Sequence, residues 1–126
     1  APFSMIDVYA SFAALLNHEL PTGVAPDSRD QLNNFLGTDT IGCDYVVQQK
    51  LNNTLSIIQN NWKYIEPSDK PALEHWTKME TGNNPQPQLY DLSVDPSEKE
   101  NLAGTHPDKV KELAILLEKV KAAKTK

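Results

Sequence analysis

One cysteine, five glycines and three histidines in 126 residues leave several chemistries without material. Cys43 alone can form no internal disulfide and no cysteine-based metal cluster. No apolar run approaches the ~20 residues needed to cross a bilayer, and no charged-then-apolar leader opens the chain, so the compartment stays open. Basic residues form no stripe outside the C-terminal tail, and a net charge of −5 is spread over interspersed acids and bases. That pattern argues against nucleic acid as a partner. Only 39% of the residues are hydrophobic, so the expected core is modest. Internal repeats and low-complexity tracts are absent as well.

What is there begins with the run from Gln88 to Ala103. Leu89-Tyr90-Asp91-Leu92, bounded by Pro87 and Asp95-Pro96, suits a short strand. Beyond it, Asp95 as N-cap, Pro96 at the first helical position and Glu98 closing a capping box predict a helical turn from Pro96, ended by Gly104. A second helix should start at Thr105 or His106 with Pro107 in its first turn. Val110, Leu113, Ala114, Leu117 and Val120 then form one apolar stripe fit to cover a sheet. Lys119, Lys121, Lys124 and Lys126 crowd its end, where cations complement the helix dipole.

Toward the other end, Ser4 and Asp7 resemble a capping pair for a helix running to about Asn17 or His18. Its content is unusual: between Met5 and Leu16 only Asp7 and Ser11 are polar, and a helix apolar nearly all round wants burial on more than one side. From Glu19 to Gly42 the chain is punctuated by proline and glycine, which predicts a linker with one short helix at 30–36 capped by Ser28 or Asp30. Strands follow at 45–49, 54–58, 62–65 and 88–92, with Asn52-Asn53 and Asn60-Asn61 as turns of an antiparallel meander. The fold class is therefore α+β: a small antiparallel sheet of about four strands packed by a C-terminal helix, preceded by an N-terminal helix and linker. The domain division expected is 1–42 and 43–126.

Asn61-Trp62-Lys63-Tyr64-Ile65, the Gln88–Ala103 run and Thr105-His106-Pro107-Asp108-Lys109-Val110, in that order, resemble the C-terminal part of formylglycine-dependent, arylsulfatase-like sulfatases. The resemblance implies a non-catalytic portion of a sulfuric ester hydrolase, completing the fold and forming a pocket edge. It implies a partner in the catalytic domain of the same polypeptide, a sulfated glycan or aryl sulfate as substrate of the parent, and an exported location. Calcium and formylglycine are implied for the parent and neither for this segment: Cys43 is followed by Asp44-Tyr45-Val46-Val47, without the Pro and Arg of the family's nucleophile motif. Ile58 stands where many relatives carry an Arg, which removes a bidentate anion contact from that point.

Catalytic and metal-binding residues are expected to be absent, since His18 and His106 lack partner ligands and Asp91, Asp95, Glu98 and Glu100 lack a regular calcium-loop pattern. Substrate-binding candidates lie in the long polar excursion 67–87: Trp76 to stack on a ring, His75 and Lys78 to bind polar substituents. The plainer alternative has Trp76 anchoring the loop to the sheet and His75 solvated. Trp62, Tyr64 and Tyr90 are expected in the core, Lys63 solvated or paired with Glu66. Two further readings stay open, a stand-alone carbohydrate-binding module using Trp62 or Trp76 and a protein-interaction module docking its first helix. On either account segment 5–16, from Met5 through Leu16, should promote self-association, and no membrane partner is expected.

Overall fold

A computed structural model describes residues 2–50 and 53–123. They form two compact units, one up to Val46 and the other Val47–Ala123.

In the first unit a 3-10 turn, Met5–Asp7, leads into α1, Val8–Leu15. Asp7 and Ser11, four residues apart and so on one face, are the buried ones, 2% and 0% exposed. The Asp7 carboxylate accepts from the Ser4 N–H (3.0 Å), the Arg29 N–H (3.0 Å) and the Cys43 thiol (3.4 Å). Ser11 donates to the Asp7 carbonyl (2.7 Å) and accepts from the Gln31 N–H (2.8 Å), while Ser28 accepts from the Ala10 N–H (2.9 Å). Asp7 and Ser11 are thus both satisfied, which is the condition for burying them. The apolar residues point the other way: Met5, Ile6, Tyr9, Phe12, Leu15 and Leu16 are exposed.

The helix ends earlier than Asn17 or His18, because Asn17 turns left-handed (φ 51°). Asn17 and His18 then donate back to the Ala14 and Ala13 carbonyls, the paired bonds of a Schellman stop with asparagine in the usual glycine role. Downstream, α2 is a single turn, Leu32–Phe35. Asp30 does accept from the Leu32 N–H (2.9 Å), whereas Ser28 is committed to Ala10 and caps nothing in α2. Phe35 meets Phe3 edge-on, ring centroids 4.6 Å apart.

The second unit is the expected meander. Strands β1 (Val46–Gln49), β2 (Leu55–Gln59), β3 (Trp62–Ile65) and β4 (Gln88–Asp91) lie in the order β1-β2-β3-β4. Gln59 pairs with Trp62 across the Asn60-Asn61 turn, where Asn60 takes the positive φ (54°). Asn53 does the same at the preceding turn (φ 65°); its neighbour Asn52 lies outside the described residues. Alternation and register put Ile57, Tyr64 and Leu89 on one face. Helix α3, Pro107–Ala122, packs on β2 and β3, with Leu113 and Leu117 fully buried. Each such leucine contributes about 1.5–3 kcal/mol. Trp62 is half-buried against His106 (centroids 5.3 Å apart), the N-cap of α3. Near the other end of α3, Lys121 pairs with Glu66 and Glu118. Lys124 and Lys126 fall outside the described residues.

Two local expectations fail. No helix forms after Pro96: Asp95 does gather the Lys99 and Glu100 N–H groups (2.7 and 2.8 Å), but Glu98 is left-handed (φ 54°) and its carboxylate goes to Lys63 instead of closing a capping box. A left-handed residue at the third position breaks propagation within the first turn. Gly104 correspondingly ends nothing and has no positive φ. The chain instead runs along the outer edge of β4, where Asn101 accepts from the Leu89 N–H (3.0 Å) and the Leu102 N–H donates to the Leu89 carbonyl (2.8 Å).

Candidate functional site

The sheet face away from α3 carries Ser56, Lys63, Ile65, Gln88 and Tyr90. Lys63 is 8% exposed and pairs with Glu98, which corrects the expectation that it is solvated or bonded to Glu66. Glu66 is occupied elsewhere, accepting from the Leu55 N–H (2.7 Å) and from Lys121. Tyr90 is buried as expected of a core residue, and its hydroxyl donates to the Gln88 amide oxygen (2.9 Å). Burial, then the nearby Glu98, Asp95 and Glu80 carboxylates, raise the Tyr90 hydroxyl above the usual tyrosine range.

The excursion between β3 and β4 is folded over this face. Buried Asn83 holds it by its side chain, accepting from the Thr54 hydroxyl (2.7 Å) and donating to the Pro71 carbonyl (3.1 Å). Gln88 adds a bond from its amide nitrogen to the Gly82 carbonyl (2.8 Å). Further out the two arms of the excursion pair, Leu73 with Glu80, and the tip lies between them. Glu74 shapes that tip: one carboxylate oxygen accepts from the Trp76 N–H (2.8 Å), the Thr77 N–H (2.6 Å) and the Thr77 hydroxyl (2.8 Å). Those bonds, led by the Thr77 N–H, hold its carboxyl below the usual range.

His75, Trp76 and Lys78 all sit on this tip and all are exposed. Trp76 is 84% exposed and meets His75 edge-on at 4.8 Å between ring centroids. Lys78 takes a left-handed backbone (φ 58°) that closes the turn. The plainer expectation, Trp76 as the anchor of the loop, does not hold, since Asn83 and Gln88 fasten it. An exposed indole against an imidazole, with an exposed lysine two residues further on, has the residue types to stack on a ring and bind polar substituents. Trp62 lies on the α3 side of the sheet, so the two indoles form no continuous strip.

Sequence reasoning did not bring Gln88 or Glu98 to this face. Lys63 and Glu98 are 35 residues apart, and nothing local in the sequence links them. In the first unit, the Cys43 thiol is raised above its ordinary range by burial and by its hydrogen bond to Asp7. It is no nucleophile in waiting. Among the described residues no three His, Cys, Asp or Glu side chains converge to hold a metal ion, and no helix is long and apolar enough to cross a membrane.

No family model matches the chain. It is 61% identical over 121 residues to an N-acetylgalactosamine-6-O-sulfatase of Bacteroides thetaiotaomicron, covering 96% of this chain and 24% of that protein. It is 38% identical over 60 residues to arylsulfatase K of Xenopus laevis, covering 48% of this chain and 9% of that one. A solved structure from work on glycosaminoglycan metabolism by Bacteroides thetaiotaomicron superposes with a TM-score of 0.84 at 60% identity, over 92% of this chain and 24% of that one. The structure of Ps i-CgsB shares the fold, with a TM-score of 0.62 at 20% identity over 94% of this chain and 24% of that one. The chain spans about a quarter of the length of the curated relative it matches over nearly its whole extent.

Proposed function

From a chain that belongs to the sulfatases, as a C-terminal part of one, we infer a non-catalytic role in a sulfate-ester hydrolase: its first unit packs against a catalytic domain of the same polypeptide and its second supplies part of the pocket edge. The observation that carries this reading is the inverted helix α1. Its two polar residues are buried and bonded to the linker, while Met5 and Leu16 stand 79% and 76% exposed. Contiguous exposed apolar surface of this kind marks an interaction face.

In this reading the catalytic domain brings the nucleophile and the calcium, and the substrate is a sulfated glycan, a sulfated hexosamine by similarity to the bacterial relative. Hydrolysis of the sulfate ester is chemistry of that domain, and no step of it is assigned to the residues described. Trp76 stacks on a sugar ring, with His75 and Lys78 binding its substituents. Expressed alone, the chain associates with itself through the same face of α1.

The test is a pair of substitutions in a full-length sulfatase carrying this segment. Phe12→Asp should lower the stability of the whole enzyme while leaving the unfolding of residues 47–123 unchanged. Trp76→Ala should raise KM and leave the melting temperature in place. A full-length enzyme indifferent to Phe12→Asp would remove the packing role, and an unchanged KM with lowered stability would remove the substrate role of Trp76.

A further inference from the structure

Between the excursion and the sheet face that carries Lys63 lies a cavity of about 520 Å³, wholly within the second unit. That volume suits a small organic ligand. Its lining sets exposed Met79 and the edges of the buried Ile65 and Tyr90 beside the charged side chains of Lys50, Glu74, Glu80 and Glu98. We propose that this cavity binds an acidic sugar, with the Lys50 ammonium seating the acid group and Glu80 accepting from ring hydroxyls.

The charges leave Lys50 as the cation available. Glu98 is taken by Lys63, and Glu74, also at the cavity, is taken by the N–H groups of its own turn. No carboxylate among the described residues forms an ion pair with Lys50. Its side chain is nonetheless placed. The Lys50 N–H donates to the Thr54 carbonyl (2.8 Å), and the ammonium lies against Gly82, where a Cβ would overlap it. Gly82 is left-handed (φ 71°), so both its backbone and its missing side chain make room for that ammonium. Burial, and after it the charge of Lys63, lowers the pKa of Lys50 against an opposing pull from Glu98, so an incoming anion offsets the cost of that burial. Met79, 65% exposed, faces the C–H side of a sugar, while the ammonium and the Glu80 carboxylate meet its polar rim.

A carboxylate and a sulfate ester share this chemistry, and three probes separate the two: glucuronate, glucose 6-sulfate and glucose, titrated calorimetrically into the full chain. At least one acid should bind saturably, and about tenfold or more tightly than glucose; the preferred acid identifies the group. Lys50→Gln should cost about tenfold or more in affinity for that acid without lowering the melting temperature, and Gly82→Ala should weaken it too by displacing the ammonium. Amide shifts on binding should concentrate at Glu80, Gly82 and Tyr90, a readout on the unmodified chain that holds should a variant fail to fold. Binding of no probe, equal binding of glucose, an unaffected Lys50→Gln variant, or shifts elsewhere would each overturn the proposal. The phenotype of Trp76→Ala bears on the pocket edge and leaves this cavity untouched, so the two proposals fail separately.

Discussion

Helices α1 and α3 bury opposite things. In α3 the core side takes Leu113 and Leu117 and leaves the lysines and glutamates in water, the ordinary amphipathic solution. In α1 and its caps the enclosed side takes Asp7 and Ser11, and the outward side is Tyr9, Phe12, Leu15 and Leu16. The first helix is held by hydrogen bonds to residues 28–31, the second by apolar area. A polar inner seam fixes where the linker runs, since each bond has one geometry, and it leaves the apolar face free for another surface. The two units therefore have different sources of stability and should respond differently to the same kind of substitution.

The largest contrast is expected from truncating leucines. Leu113→Ala or Leu117→Ala should cost about 2–5 kcal/mol in urea unfolding, because the cavity adds to the lost transfer energy. Leu16→Ala in the same chain should stay within about 0.5 kcal/mol, since the residue is already exposed. Equal costs at Leu16 and Leu117 would break the comparison. Next, Asp7→Ala should cost about 1–3 kcal/mol by orphaning the Ser4 and Arg29 N–H groups, with faster amide exchange at Arg29 as its signature. Asn101→Ala sharpens the same point in the second unit, where the buried Leu89 N–H loses its acceptor; about 1–2 kcal/mol is expected, read by exchange at Leu89.

The smallest effect concerns pH. Lys121 is raised by its hydrogen bonds to Glu118 and Glu66, and Tyr64 is raised by burial and by Glu66. Both groups hold their proton more tightly when folded, so their contribution is complete below the unfolded values, about 10 for tyrosine and 10.4 for lysine. It is lost as pH climbs through the higher folded values. Alkaline titration should therefore weaken residues 47–123, and Lys121→Met should flatten the part that Lys121 supplies, under about 1 kcal/mol for so exposed a pair.

Most of the second unit was legible because two-residue and 3.6-residue periodicities report burial directly, and Leu113 and Leu117 lie where the stripe puts them. The Asn60-Asn61 turn was legible for a conformational reason, asparagine's tolerance of positive φ. Segment 96–103 was misread because a correct local signal, the Asp95 cap, competes with a distant one: Lys63 draws the Glu98 side chain away from the capping position. The inward direction of α1 was hidden by its composition, since a segment apolar on every side gives no moment to orient it. The exposure of the excursion that carries His75, Trp76 and Lys78 was legible from its length and polarity. The approach of Lys50 to Gly82 was not, since no spacing encodes that proximity.

The segment beside β4 has a bearing on how this protein meets other chains. Both main-chain groups of Leu89 are engaged by Asn101 and Leu102, and the Asp91 carbonyl accepts from Val94 and Asp95. A stray extended peptide arriving there finds no open ladder to join, so the sheet cannot grow by recruiting strands on that side. An edge closed in this way leaves β4 unavailable for fibre-like stacking.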